Sequence, residues 1–191
     1  MDHGQYYSTL QKTKGHSMDL HKLFKPENMA VVGVSHSNDR HPANVIFNKN
    51  RLRYPVDVYA VNPKGGFLYG EKVFSKVSDI PQTIDLAIIA VKAEFVPDVL
   101  ADCIASGTGG AIVVSGGFAE RGQTDLQNRL ADQAHEASFP LLGPNCLGFF
   151  APMSLDTFFI PSERMIRPYA GQVAFISQSG GILVDQMVKF T

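Results

Sequence analysis

The 191-residue chain contains no tryptophan and only two cysteines, Cys103 and Cys146. Two thiols are too few for a disulfide framework or a tetrahedral zinc site, and a reducing cytoplasm is the expected setting. Charge of one sign is equally scarce: 17 Lys and Arg against 18 Asp and Glu give a formal net charge of -1. That balance argues against nucleic acid or an anionic membrane as the main partner, since each would favour a basic patch. Apolar runs of about 18 residues, as a membrane span requires, are missing, and the N-terminus lacks the apolar region of a signal peptide. No His-x-x-x-His or Cys/His spacing occurs, so no metal site is expected.

What is present is a sequence 45% hydrophobic, enough for one α/β domain with a core, or for one domain and the start of another. Residues 1–18 are polar and aperiodic and run into a second methionine, Met18, which reads as a disordered leader or an added extension. From about residue 20, β-branched runs alternate with amphipathic segments. Strands are expected at 29–35, 56–63, 84–91, 110–117 and 139–144. Helices are expected at 42–52, with Pro42 in the first turn and Val45, Ile46 and Leu52 facing inward, and at 94–107, with Gly107 as C-cap. In the second of these, Phe95, Val96, Val99, Leu100, Cys103 and Ile104 recur at helical spacing. A third helix is expected at 124–138 with Thr124 as N-cap.

This alternation implies right-handed βαβ units and a Rossmann-like, doubly wound parallel sheet spanning 19–150. After a proline-bearing linker at 151–168, residues 172–177 read as a new strand leading through a Ser/Gly turn into a helix. Residues 169–191 are therefore expected to open a second α/β, flavodoxin-like domain that is cut short at Thr191.

Ligands of such sheets bind outside the carboxyl ends of the strands. The first strand ends in "VVGVSHSNDRHPAN", which has Gly33 but not the three glycines of a dinucleotide fingerprint. Its turn still brings backbone N–H groups and the Ser35 and Ser37 hydroxyls, with Asn38, to the start of a helix, a favourable place for phosphate; an ordinary strand–helix turn explains the stretch equally well. The second strand ends in "NPKGG", with Lys64 where an NAD site would carry an acid. A cation there suits NADP or coenzyme A better than NAD, although a solvated lysine is a common feature of turns. Ser115, in "VVSGGF" with Gly116 and Gly117, lacks the flanking glycine pattern of a nucleophile elbow and suits a turn that a ligand approaches closely. In "SQSGG", Ser179, Gly180 and Gly181 stand at a helix start, as a phosphate cradle or a plain N-cap. Cys146, in "LLGPNCLGFF", has no histidine or cation placed by sequence to activate it, which leaves it beside any chemistry rather than its agent.

In order, the stretches "LFKPENMAVVGVS", "YAVNPKG", "IDLAIIAV", "GGFAERG", "LLGPNCLGF" and "GQVAFISQSGG" resemble the CoA-binding domain of NDP-forming acyl-CoA synthetases. This superfamily includes the ADP-forming acetyl-CoA synthetases and the succinyl-CoA synthetase α subunit. The resemblance covers residues 23–181. It implies that coenzyme A lies across the strand ends, with Gly33, Ser35, Ser37 and Asn38 facing the nucleotide and Lys64 meeting the phosphates. Val91 and Lys92 would line the adenine side, and Ser115, Gly116 and Gly117 the pantetheine path. Asn145 and Cys146 would stand near the thiol end, and Ser179, Gly180 and Gly181 would hold a phosphoryl group. An intact protein of this kind acts as an acid–thiol ligase through acyl phosphate and phosphohistidine. Its partners would be the acyl substrate, ATP or ADP with Mg, and an ATP-grasp domain or subunit, in an assembly of like or unlike subunits.

Two departures stand out. A second family glycine is absent near "HPAN", and the third strand's usual proline is replaced in "AVKAE", where Lys92 could contact phosphate or point to solvent. No histidine of this chain matches the phosphohistidine, so the chain alone is expected to bind CoA without completing the reaction. The alternatives are the N-terminal synthetase-like region of a protein lysine acetyltransferase, against which Cys146 weighs mildly, and an NAD(P)-binding Rossmann module.

Overall fold

A computed structural model of the chain describes residues 20–189, and the leader reading of 1–18 lies outside the described residues. The chain opens with a one-turn helix α1 (His21–Phe24), followed by strand β1 (Asn28–Val32), helix α2 (Pro42–Arg53) and β2 (Asp57–Val61). A hairpin of β3 (Phe67–Leu68) and β4 (Glu71–Phe74) comes next, then β5 (Leu86–Ile89), α3 (Val96–Ala105) and β6 (Ala111–Val113). The remaining elements are α4 (Thr124–Glu136), β7 (Leu141–Leu142), β8 (Phe150–Ala151), β9 (Leu155–Asp156) and α5 (Gly180–Lys189).

Seven strands form one sheet in the order β3-β4-β2-β1-β5-β6-β7. All neighbours are parallel except the β3–β4 hairpin. The expected Rossmann-like parallel sheet is therefore present. Its central strands are apolar on both sides because both faces are covered. Ala30, Val32, Ala87, Ile89, Ala111 and Val113 face Val96, Leu100 and Cys103 of α3 and Leu130 and Ala134 of α4. Their alternates Met29, Val31, Leu86, Ile88 and Ile112 face Ala43, Ile46 and Phe47 of α2 and Leu155 of β9. Strand order reverses at β1, flanked by β2 on one side and β5 on the other, which opens a crevice at their carboxyl ends.

Several local expectations need correcting. Thr124 is the first residue of α4 rather than its cap; Gln123 holds the cap position and makes no side-chain cap bond. Leu52 is 69% exposed and Phe95 53%, so neither faces the core. The buried side of α2 instead carries Asn44, Lys49 and Asn50 beside Ile46 and Phe47. Gly107 does follow α3 in the left-handed region, at φ 72°, and its N–H donates to Ile104 O. Residues 172–177 form no strand. A strand is defined by pairing, and no described segment pairs with this one.

The 151–168 stretch does more than connect. β8 and β9 pair as a short hairpin, and Asp156, fully buried, forms ion pairs with Lys49 and Arg167. Burial pushes the Lys49 ammonium down to about 8, against the pull of the Asp156 carboxylate.

Candidate functional site

After β1 the backbone turns at Gly33, with φ 100°, and its N–H donates to Val61 O at the end of β2. A Cβ at this position would lie 2.4 Å from Ala90 O, so the close approach of the β1 and β5 ends requires glycine. The following turn is held by Asn44, from the first turn of α2. Ser35 N–H donates to Asn44 Oδ1 at 2.6 Å, and Asn44 Nδ2 donates to Ser35 O at 2.8 Å. Tyr69 extends this network from the hairpin, accepting from Asn44 Nδ2 and donating to Asp39 Oδ1.

The expected phosphate donors of this turn are arranged differently from the sequence reading. Ser37 N–H and Asn38 N–H both point at Ser35 Oγ, at 3.3 and 3.1 Å. The hydroxyl thus closes the turn on itself and keeps only its own proton to offer a ligand. His41 caps α2, accepting from Ala43 N–H through Nδ1, and burial lowers its pKa.

At the end of β2, Asn62 ties the neighbouring turns together. Its side-chain NH₂ donates to Val34 O at 2.7 Å, while its Oδ1 accepts Lys64 N–H at 2.9 Å. Lys64 is exposed, and among the described residues no carboxylate pairs with its ammonium. His36 Nε2 packs over the same turn beside Gly66.

The β5 and β6 ends are joined by Ser115, whose hydroxyl donates to Val91 O. Lys92 is exposed and starts the 3₁₀ turn Ala93–Phe95. After β6, the N–H groups of Gly117 and Phe118 both donate to the Glu120 carboxylate. The Gly117 contact, foremost among these bonds, holds the Glu120 pKa below the usual carboxylate range. This carboxylate, which sequence reasoning missed, fills the anion-binding backbone of the turn from within. The surface beside Gly116 therefore suits an uncharged chain better than a phosphate.

The β7 end joins the row through Asn145, whose N–H donates to Ser115 O at 2.8 Å. Cys146 packs against the core cluster on the α2 side of the sheet. Burial pushes its thiol pKa up, partly offset by the Gly148 N–H donating to Sγ. Burial prevails and leaves the thiol protonated, unlike an activated nucleophile. Cys103 is buried, with its thiol pushed up to about 12.

The serine–glycine turn meets this row from above. Ser179 N–H donates to Ser177 Oγ, and Ser179 Oγ accepts from Ile182 N–H, capping α5. A Cβ on Gly180 would lie 3.3 Å from Leu147 Cβ, so glycine brings the start of α5 close to the residue that follows Cys146. Leu183, Val184 and Met187 then pack with Phe150, Phe158 and Met165.

The structure thus gathers the sequence-derived residues Gly33, Ser35, Ser37, Asn38, Lys64, Val91, Lys92, Ser115, Gly116, Gly117, Asn145 and Cys146 on one carboxyl edge. Asn44, Asn62, Tyr69 and Glu120, which support them, escaped the sequence reading. In charge the edge is compatible with a phosphorylated ligand: the exposed Lys64 follows β2 without a carboxylate partner among the described residues, and it stands where a ribose diol would need an acid. Among the described residues no cluster of His, Cys, Asp or Glu could hold a metal. None of their helices is long and apolar enough to cross a membrane.

Known proteins of similar sequence and fold place the chain in a family. The chain is 33% identical to the ADP-forming acetate–CoA ligase II of Archaeoglobus fulgidus over 87% of its own length and 25% of that protein. It is also 33% identical to the α subunit of ADP-forming acetate–CoA ligase I of Pyrococcus furiosus, over 89% of this chain and 37% of the subunit. The chain thus spans well under half the length of either relative. The dinucleotide-forming acetyl-coenzyme A synthetase 1 of Candidatus Korarchaeum cryptofilum, solved with phosphate and ADP, superposes with a TM-score of 0.78 at 36% identity. That match covers 88% of this chain and 36% of the synthetase. These likenesses lend the acetyltransferase and nicotinamide alternatives no support. The family model for the CoA binding domain matches residues 27–152, and the chain belongs to that family, as a CoA-binding module homologous to the ADP-forming acetyl-CoA synthetases.

Proposed function

We propose that this module presents coenzyme A to a phosphoryl-transfer centre of an ADP-forming acyl-CoA synthetase. CoA lies across the carboxyl ends of the strands, with Lys64 and the Ser35, Ser37 and Asn38 turn at its phosphates. Val91 and Lys92 flank the adenine, and the pantetheine runs past Ser115, Gly116 and Gly117, where Glu120 already satisfies the backbone donors. The thiol ends near Asn145 and Cys146, and Ser179, Gly180 and Gly181 receive the phosphoryl group. The acyl substrate, ATP or ADP with Mg, the phosphohistidine and an ATP-grasp partner belong to regions outside this chain. The observation that carries the reading is the packing of Gly180 against Leu147, which sets the candidate phosphate turn beside the candidate thiol turn.

Titration calorimetry with CoA, desulfo-CoA, NADH and NADPH tests it. CoA and desulfo-CoA should bind alike; NADPH binding without CoA binding would overturn the proposal. Lys64→Ala should weaken CoA about tenfold, the loss of one charge-assisted phosphate contact. The loss should shrink as salt rises, because the ammonium is exposed and screened.

Cys146→Ser and Cys146→Ala should leave the CoA dissociation constant unchanged, since the protonated thiol is bound within the turn. In an active full-length ligase the same changes should slow turnover only in part. Complete loss of turnover with the fold intact would make the thiol the nucleophile.

A further inference from the structure

Asp156 is fully buried, and every polar group it carries is used. Its Oδ1 accepts from Lys49 Nζ at 2.8 Å and from Phe158 N–H at 3.0 Å, while Oδ2 accepts from Arg167 Nε. Its backbone forms a reciprocal pair with the Asn50 side chain, at 2.9 and 2.8 Å. Lys49 Nζ also donates to Phe158 O, and Arg167 to the carbonyls of Ile160, Ser162 and Met165. Three charged groups have thus been taken out of water to hold one strap of chain, 155–167, against one helix.

Taking charge out of water is costly, and apolar side chains of similar volume often stabilise as well or better. A strap needing only to be covered would therefore gain little from this triad. The ionic arrangement does fix register, because each oxygen and nitrogen has one geometry in which all are satisfied. What depends on that register is the packing above it. Phe158 and Met165 of the strap, with Phe150 and Ile160, form the seat for Leu183, Val184 and Met187 of α5. The start of α5 touches Leu147 through Gly180. The same helix α2 holds the Ser35 turn with Asn44, so one element grips both the nucleotide end and the strap.

We propose that Asp156 is a positioning residue: its clasp with Lys49, Asn50 and Arg167 sets the strap in the register that holds the turn of Ser179, Gly180 and Gly181 against the turn of Asn145 and Cys146. The functional consequence rests on the CoA reading above. Asp156 touches neither CoA nor a reacting group; it acts through the strap and α5. Asp156→Asn keeps the shape but replaces an acceptor with a donor facing Lys49 or Arg167. Arg167→Lys keeps the charge but loses the fork onto three carbonyls.

The test uses the full chain, ¹⁵N-labelled, with CoA as the probe. In the wild type, CoA addition should shift the amide signals of Ser179, Gly180 and Gly181. In Asp156→Asn that response should fall by about half or more, and the Leu183 amide should exchange about tenfold faster. The CoA dissociation constant should stay within about twofold, because the Asn44 bonds that hold the Ser35 turn share no group with the clasp. Arg167→Lys should give the same pattern at lower amplitude, and decides the matter if Asp156→Asn does not fold. Wild-type responses in these variants would overturn the proposal. So would exchange that quickens equally at Val31, Ile88 and Ile112 with CoA weakened in step, the signature of general destabilisation. A wild type that binds no CoA would sink the CoA reading alone, and the Leu183 exchange would still decide the clasp.

Discussion

Gly33→Ala should lower stability by several kcal/mol and remove measurable CoA binding. Two effects combine. Alanine at φ 100° leaves the regions open to L residues, at about 1–2 kcal/mol. Its Cβ would also overlap Ala90 O, 2.4 Å away, and relieving that overlap in a packed core costs about 1–3 kcal/mol. Neither strand can retreat freely, because Gly33 N–H is bonded to Val61 O and Ala90 N–H to Val32 O. The sum, about 2–5 kcal/mol, corresponds to a fall in melting temperature of roughly 4–20 °C for a chain of this length. Separating the β1 and β5 ends would also reshape the crevice at the strand-order reversal. Thermal unfolding and calorimetry on the same preparation check both parts. Unchanged stability would mean that the turn adapts without cost; lost stability with CoA affinity intact would place the ligand away from the β1 turn.

The central architecture was readable because it follows from burial on two faces. In "IDLAIIAV" every residue after Asp85 is apolar, and β5 is buried at all four of its residues. α3 also announced itself, with Val96, Leu100 and Cys103 buried at helical spacing. The hairpin was not readable. β3 has two residues, and its turn is Tyr69 at φ 52° followed by Gly70 at φ 83°. Tyrosine is not a residue whose presence signals the left-handed region. The "YG" pair, flanked by Phe67, Leu68, Val73 and Phe74, was the available clue.

The candidate site divided along a similar line. Residues at strand ends were found because topology alone assigns them to one edge. Residues that shape the edge were missed because they violate the hydrophobic period used to read helices. Asn44, Lys49 and Asn50 occupy the buried side of α2, where apolar residues are expected, and the exposed Leu52 misled in the opposite direction. Ser35 was found, but its hydroxyl serves the turn. Only the positions of the Ser37 and Asn38 N–H groups could reveal that. The 151–168 stretch, which contains the strap, reads as a linker because Pro152, Pro161 and Pro168 suggest exposed chain, whereas the ion pair that buries it joins residues more than 100 positions apart.

Asn44→Ala follows from that missed layer and should weaken CoA binding by about 10- to 100-fold. The side chain is fully buried, and it both accepts Ser35 N–H and donates to Ser35 O. Removing it strands two backbone groups in a half-buried turn, at about 1–3 kcal/mol for each that water cannot reach. The turn can recover these bonds only by changing shape. If the competent shape is then populated about 1–10% of the time, the apparent dissociation constant rises by the reciprocal factor, 10- to 100-fold. Asn44→Asp sharpens the test: a carboxylate can still accept from Ser35 N–H but presents a second acceptor to Ser35 O, so it should bind CoA poorly too. Asn44→Gln has both groups on a longer arm and should recover part of the affinity. Calorimetry with CoA, read beside the exchange rate of the Ser35 amide, separates these cases. Faster exchange with unchanged affinity would show that CoA selects its turn without help from α2. Unchanged exchange and unchanged affinity would mean that the turn is held by Ser35 Oγ and Asn62 alone. Weaker binding with faster exchange would establish Asn44 as the residue that preshapes the nucleotide turn.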